Sequence, residues 1–219
     1  MFPLYDSSNN RETFPFVNYV LIILNVLGFY LQLTAPDFEQ FVYNFAFIPA
    51  DFHLFNPLSY FYIFTSIFMH GGFLHILSNM WFLHIFGDNV EDYMGHFRYL
   101  IFYLLAGIAA TLGQYMISPQ SVIPLVGASG AIAGVAGAYF VLFGKAKVRT
   151  LLTLGFYIST ADLPAWFFLG FWFVLQILSG FTTFDPGAEG GVAWFAHIGG
   201  FIFGWLVGPF IHRKNNKMV

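Results

Sequence analysis

Uncharged apolar runs alternate with short charged segments along the chain, and that alternation predicts helices long enough to cross a lipid bilayer. Between Glu12 and Asp37 lie 24 uncharged residues, enough for one span of roughly 20. Residues 52–87 carry no charge either, but Pro57 and the Gly71–Gly72 pair interrupt the pattern. The stretch 52–71 therefore reads as a partly embedded loop, and Phe73–Phe86 as the core of a second helix. From Tyr99 to Gly144 run 46 uncharged residues, about two spans, divided by Pro119, Pro124 and Gly127. Residues 163–184 and 190–212 supply a fifth and a sixth. The expectation is one all-α polytopic membrane domain over residues 1–219, with spans near 14–34, 73–88, 99–117, 128–144, 163–181 and 192–212. No fixed-period repeat, low-complexity segment or linker interrupts it.

Six spans place the N-terminal tail, the second and fourth loops and the C-terminal tail on one side of the membrane. Those segments hold Arg11, Arg98, Lys145, Lys147, Arg149, Arg213, Lys214 and Lys217, which are all 8 lysines and arginines of the chain. The opposite loops hold only Asp37, Glu39, Asp51, Asp185 and Glu189. Positively charged loops stay inside, so both termini are expected in the cytoplasm.

Composition strengthens the membrane reading. The chain is 58% hydrophobic and 9% charged, where a soluble domain carries about a quarter charged residues. Its 31 phenylalanines exceed what a soluble core of this size could hide, whereas lipid accepts them on helix surfaces. A net charge of −3 argues against a nucleic-acid partner. The absence of cysteine excludes disulfides and thiolate metal sites, and no other metal or cofactor is implied. Met1–Asn10 lacks a basic segment followed by an apolar core, so no cleaved signal peptide is expected.

Against this apolar background a few polar residues stand out. His75 and Asn79 share one face of the second span at i, i+4 spacing. Ser129 opens the fourth span within VGASGAIAG, and His197 lies near the start of the sixth within AWFAHIGGFIFG. At 1.5 Å rise per residue, His75 and Asn79 lie roughly 5–10 Å below the outer end of their span, His197 about 9 Å, and Ser129 close to its own outer end. All four thus occupy one shallow layer on the non-cytoplasmic side. Taken singly, a glycine-flanked serine is commonly a helix contact and a lone asparagine is commonly interhelical glue. A histidine in a span is a functional candidate that can also be satisfied by a backbone carbonyl. The spacings Gly130-xxx-Gly134 and Gly200-xxx-Gly204-xxx-Gly208 read as packing motifs that bring spans four and six together.

A serine becomes nucleophilic at neutral pH when an imidazole within hydrogen-bond reach takes its proton. The oxyanion formed on attack needs donors, and the start of a helix offers free backbone N–H groups. His75 and Asn79 could add side-chain donors from the facing helix. Every carboxylate lies in a loop, a tail or at a span end, so the sequence predicts a Ser–His dyad rather than a triad. Asp185 and Glu189 are the only nearby outer-side acids and rank as poor candidates for a catalytic part.

HILSN at 75–79, GASGAIAG at 127–134 and AHIGGFIFG at 196–204 resemble, in that order, the motifs of the rhomboid intramembrane serine proteases. The likeness runs through MHGGFLHILSNMWFLHIFGDNVED (69–92) and GGVAWFAHIGG (190–200) and covers about Phe64 to Gly208. It implies the six-helix rhomboid bundle and cleavage of other proteins' transmembrane segments near the outer face of the membrane, with a prokaryotic inner membrane as the expected location. By position, Ser129 would be the nucleophile and His197 the general base, and His75, Asn79 and the Ser129 amide would form the oxyanion site. The partners implied are transmembrane protein substrates and the bilayer. It also implies that span five, around Trp166–Phe173, and the 182–191 cap move to admit substrate.

The sequence departs from the pattern in two places. The Trp-Arg pair of many first loops is absent from 36–71. Ala133 stands where some members carry an aromatic that packs on the catalytic histidine, which leaves the residue orienting His197 open. His70 reads as a loop anchor and Glu91 as a structural residue. Three other classes compete: an inactive rhomboid-like binder of membrane helices, a small transporter, and a scaffold. An inactive relative would lack the serine or the histidine. A transporter would tend to show midplane ionisable groups and inverted repeats.

Overall fold

The computed structural model describes residues 1–7, 11–182 and 191–212. Helices occupy all six predicted stretches. In chain order they are α1 (Phe16–Thr34), α4 (Phe73–Met94), α5 (His96–Ile117), α6 (Ser129–Leu142), α7 (Ala165–Thr182) and α8 (Trp194–Val207), with the shorter α2 (Phe38–Phe45) and α3 (Pro57–Ser66) between the first two. By length and apolar composition α1, α5 and α7 suffice to cross a membrane, and α6 and α8 are shorter apolar helices.

Two expectations need correction. Residues 52–71 are not all loop. Pro57, read as a breaker, sits in the first turn of α3, where its missing N–H is not needed. Asn56 caps that helix by accepting a hydrogen bond from Leu58 N at 3.1 Å.

Nor is the fold all-α. Three antiparallel strands, β1 (Phe2–Asp6), β2 (Lys147–Leu154) and β3 (Tyr157–Pro164), form a sheet in the order β1-β2-β3. Hairpin β2–β3 turns at Gly155, at φ +61°, and β1 adds to its free edge with Phe2 opposite Leu151 and Asp6 opposite Val148. The sheet is tied to the bundle. Trp81 Nε1 on α4 donates to Pro3 O at 2.7 Å, and Tyr139 on α6 and Asn89 on α4 both donate to the Asp6 carboxylate.

The bundle is built around α6. Every residue from Gly130 to Tyr139 is buried, with α8, α5, α4 and α7 packed around them. Between apolar helices in lipid there is no hydrophobic force, so close van der Waals contact must hold them. The glycines provide it. A Cβ on Gly200 or Gly204 would collide with the carbonyl oxygens of Gly130 or Gly134 on α6. Gly113 on α5 meets α8 in the same way, with Gly199 Cα 3.2 Å from where its Cβ would lie. The packing expectation for spans four and six is met, and α5 joins them.

Acidic residues at the far end of α4 anchor α1. The buried Glu91 carboxylate accepts from Val17 N at 2.9 Å and Asn18 N at 2.6 Å. It thereby serves the free donors and positive end of α1. Asp92 accepts from Glu12 N at 3.0 Å and Thr13 N at 2.8 Å, and Arg11 pairs with Asp88 at 2.7 Å. Glu91 is structural, as expected. Gly95, at φ +80°, then turns the chain directly into α5.

Candidate active site

Ser129 is the first residue of α6. The loop before it has few backbone partners of its own, and the segment around α2 and α3 supplies them. Phe47 and Leu125 exchange two backbone bonds at 3.2 and 2.8 Å, Ala50 N donates to Ser121 O at 3.0 Å, and Gly127 N donates to Ser66 O at 2.9 Å. Irregular backbone inside a membrane protein is tolerated where protein satisfies it in this way. Gly127 adopts φ +119°, and a Cβ there would lie 2.7 Å from Cε1 and Nε2 of His75. Only glycine fits, both for the turn and for the approach of the imidazole.

The close packing of α6 on α8 brings Ser129 Oγ to 2.8 Å from Nε2 of His197. The other ring nitrogen, Nδ1, lies 2.7 Å from Oε1 of Gln176 on α7. Since Gln176 Oε1 can only accept, Nδ1 carries the proton and Nε2 presents its lone pair to the serine hydroxyl. The ring of Trp172, one turn before Gln176, sits 5.9 Å from the imidazole at 33°, and Trp194 meets it edge-on at 6.1 Å.

His75 and Asn79 line the same cavity as Ser129 and His197, a space of about 1090 Å³. Gly71 N donates to His75 Nδ1 at 3.3 Å, which leaves the proton on Nε2, the nitrogen against Gly127. Asn79 is 6% exposed and its Nδ2 has no hydrogen-bond partner among the described residues. An unpaired buried donor is costly unless an acceptor arrives, so this amide is set to receive one from a molecule entering the cavity. The first N–H groups of α6, Ser129's included, are free of intrahelical partners.

The structure thus brings all four sequence-predicted residues to one cavity and joins two of them directly. His70 does not line this cavity, though its ring meets that of His75 edge-on at 5.1 Å, and it anchors the loop, as expected, through its backbone. Its N donates to Gln32 Oε1 at 2.9 Å and its O accepts from Gln32 Nε2 at 3.0 Å, tying the loop to α1. Asp185 and Glu189, with the rest of 183–190, lie outside the described residues. Ala133 is buried in the bundle, and the ring that packs on His197 comes from Trp172 instead.

The sequence reading passed over Gln176 and Trp172. The signal for Gln176 was present: it is the lone amide in FWFVLQILSG, one turn from Trp172. Counted back from the end of α7 at Thr182 it lies about 9 Å in, the same depth as His197.

The rhomboid domain profile matches residues 57–214, well over half the chain and every residue of this cluster. This chain belongs to the rhomboid family. Curated relatives agree. The chain is 34% identical over 134 residues to Rhomboid-like protein 11, chloroplastic, of Arabidopsis thaliana, covering 61% of this chain and 45% of that protein. It is 31% identical over 147 residues to Rhomboid protease GluP of Bacillus subtilis, covering 67% and 28%. It is also 31% identical over 87 residues to Inactive rhomboid protein 1 of Drosophila melanogaster, covering 40% and 6%. The chain therefore spans less than half the length of each of these relatives. As a rhomboid it is an integral membrane protein, of a family whose members are generally serine proteases that act within the bilayer and also include inactive forms.

Proposed function

We propose that this rhomboid is an active intramembrane serine endopeptidase that hydrolyses peptide bonds in or near the transmembrane segments of other proteins. One observation carries the reading: Ser129 Oγ and His197 Nε2 lie 2.8 Å apart on the wall of a cavity that also holds His75 and Asn79. His197 takes the Oγ proton as the hydroxyl attacks the substrate carbonyl, then returns it to the leaving amine. A water deprotonated by the same imidazole releases the acyl-enzyme. The Ser129 amide, Asn79 Nδ2 and His75 Nε2 receive the oxyanion.

In this reading six helices cross the bilayer, with both termini cytoplasmic in a prokaryotic inner membrane, and α7 yields to admit substrate; the expected part of the 182–191 cap rests on residues 183–190, outside the described residues. The lysine and arginine distribution supports that orientation. Helix α6 has 14 residues, about 21 Å at helical rise, too short for a hydrocarbon layer of about 30 Å. At least one of its ends therefore lies within that layer; in this reading it is the first residue, which water reaches through the cavity.

An inactive helix-binding rhomboid is the alternative, and one relative is named as inactive. The bonded serine and histidine favour the protease. The test is cleavage of a membrane-anchored reporter by purified protein in liposomes. The wild type cuts, and Ser129→Ala and His197→Ala do not while keeping their thermal melting. A folded wild type that binds the reporter without cutting it overturns the reading in favour of the binder.

A further inference from the structure

We propose that Gln176 is the positioning residue of the general base, taking from α7 the place that a carboxylate holds in a serine-protease triad. The proposal rests on the protease reading above and assigns a part to a residue outside that dyad.

Its Oε1 accepts from His197 Nδ1 at 2.7 Å. Its Nε2 donates to Trp172 O at 3.2 Å. The second bond ties the amide nitrogen to the α7 backbone, so the oxygen is the end left facing the imidazole. A glutamine free to rotate would offer Nδ1 either a donor or an acceptor. This one offers only an acceptor.

The tautomer follows. With Nδ1–H committed to Gln176, Nε2 holds the lone pair that faces Ser129 Oγ. When the Oγ proton moves to Nε2, the ring becomes an imidazolium with an N–H on each nitrogen, and the bond to Gln176 becomes charge-assisted. A neutral acceptor suits this depth. A buried carboxylate would carry a charge that needs its own partners, and among the described residues no basic side chain lines the cavity apart from the histidines.

The ring plane is held from the same helix. Trp172 packs on His197, and the adjacent Phe173 stacks on Phe201 of α8 at 4.3 Å and 16°. Gln176 and Trp172 thus fix the tautomer and the tilt of His197 only while α7 is docked on α8.

The test compares Gln176→Met, which keeps the length and removes the acceptor, with Gln176→Glu, which keeps an acceptor oxygen at the same reach. Thermal melting selects folded variants, and Gln176→Leu takes the place of Gln176→Met if the latter does not fold. The acceptor-less variant should lose at least about tenfold in kcat, a part of the roughly 10²–10⁴ that a general base contributes, with KM little changed. Gln176→Glu should recover most of that loss. Nitrogen-15 NMR of the detergent-solubilised protein should show the Nδ1–H tautomer of His197 in the wild type and a mixture in the acceptor-less variant. An acceptor-less variant that keeps wild-type kcat, or the Nδ1–H tautomer unchanged, overturns the proposal. Ser129→Ala, run alongside, separates the two claims: residual cleavage there would bring down the protease reading itself.

Discussion

Gly204 of α8 and Gly134 of α6 touch backbone to backbone, so closely that a Cβ on Gly204 would overlap the carbonyl oxygen, carbon and Cα of Gly134. One turn toward the site the same contact recurs between Gly200 and Gly130, and beyond it Ser129 meets His197. The distance between Ser129 and His197 is therefore set by residues with no side-chain chemistry of their own.

Gly204→Ala tests that dependence. Forcing α8 away from α6 should lower stability by about 1–3 kcal/mol and reduce cleavage by more than the loss of folded protein explains. Thermal unfolding and activity per folded molecule, measured on one preparation, separate the two effects. Unaltered activity per folded molecule would show that the dyad distance is set elsewhere.

Gly127→Ala should be damaging for a local reason. Its φ of +119° disfavours any side chain, and the new Cβ would lie 2.7 Å from the His75 ring. Strain of this kind is on the order of 1–3 kcal/mol. It falls on the turn that presents Ser129 and on His75, a proposed oxyanion donor, so the expected outcome is a folded protein with strongly reduced kcat in the reporter assay.

Asn79→Ala should slow turnover without abolishing it, because one donor among several is removed. Loss of a single oxyanion donor costs about 10²–10³ in kcat where it dominates, and a value at or below the lower end is expected here. The buried Nδ2 has no partner among the described residues, so stability should stay level or rise. An unchanged kcat would remove Asn79 from the oxyanion site.

Glu91→Ala separates framework from chemistry. The mutation strands the Val17 and Asn18 amides that Glu91 now receives and should destabilise the protein by roughly 3 kcal/mol, since each buried donor left without its acceptor costs about 1–3 kcal/mol. At temperatures where the variant stays folded, kcat should match the wild type. A specific fall in kcat at full folding would contradict its structural assignment.

Much of this organisation was legible in the chain because an apolar background makes exceptions visible. Charge-free runs marked all six long helices, and the shared depth of His75, Asn79, Ser129 and His197 marked the cavity. Gln176 obeyed the same depth rule but was lost among the phenylalanines and tryptophans of its span. Pro57 misled because a proline that breaks a helix in its interior also begins one. The sheet was hidden for a different reason. β2 and β3 mix charged and apolar residues without clean alternation, and β1 finds its partner strand some 140 residues away. Pairing at that distance leaves no local pattern to read.

The most direct measurement of the central claim is the rate at which a serine-directed fluorophosphonate labels Ser129 in the presence and absence of the His197 imidazole. The adduct is located by mass spectrometry, and the comparison needs no substrate. If His197 activates Ser129, wild-type protein is labelled at Ser129, His197→Ala protein at least about 100-fold more slowly, and Ser129→Ala protein not at all. Equal labelling of wild-type and folded His197→Ala protein would contradict the account.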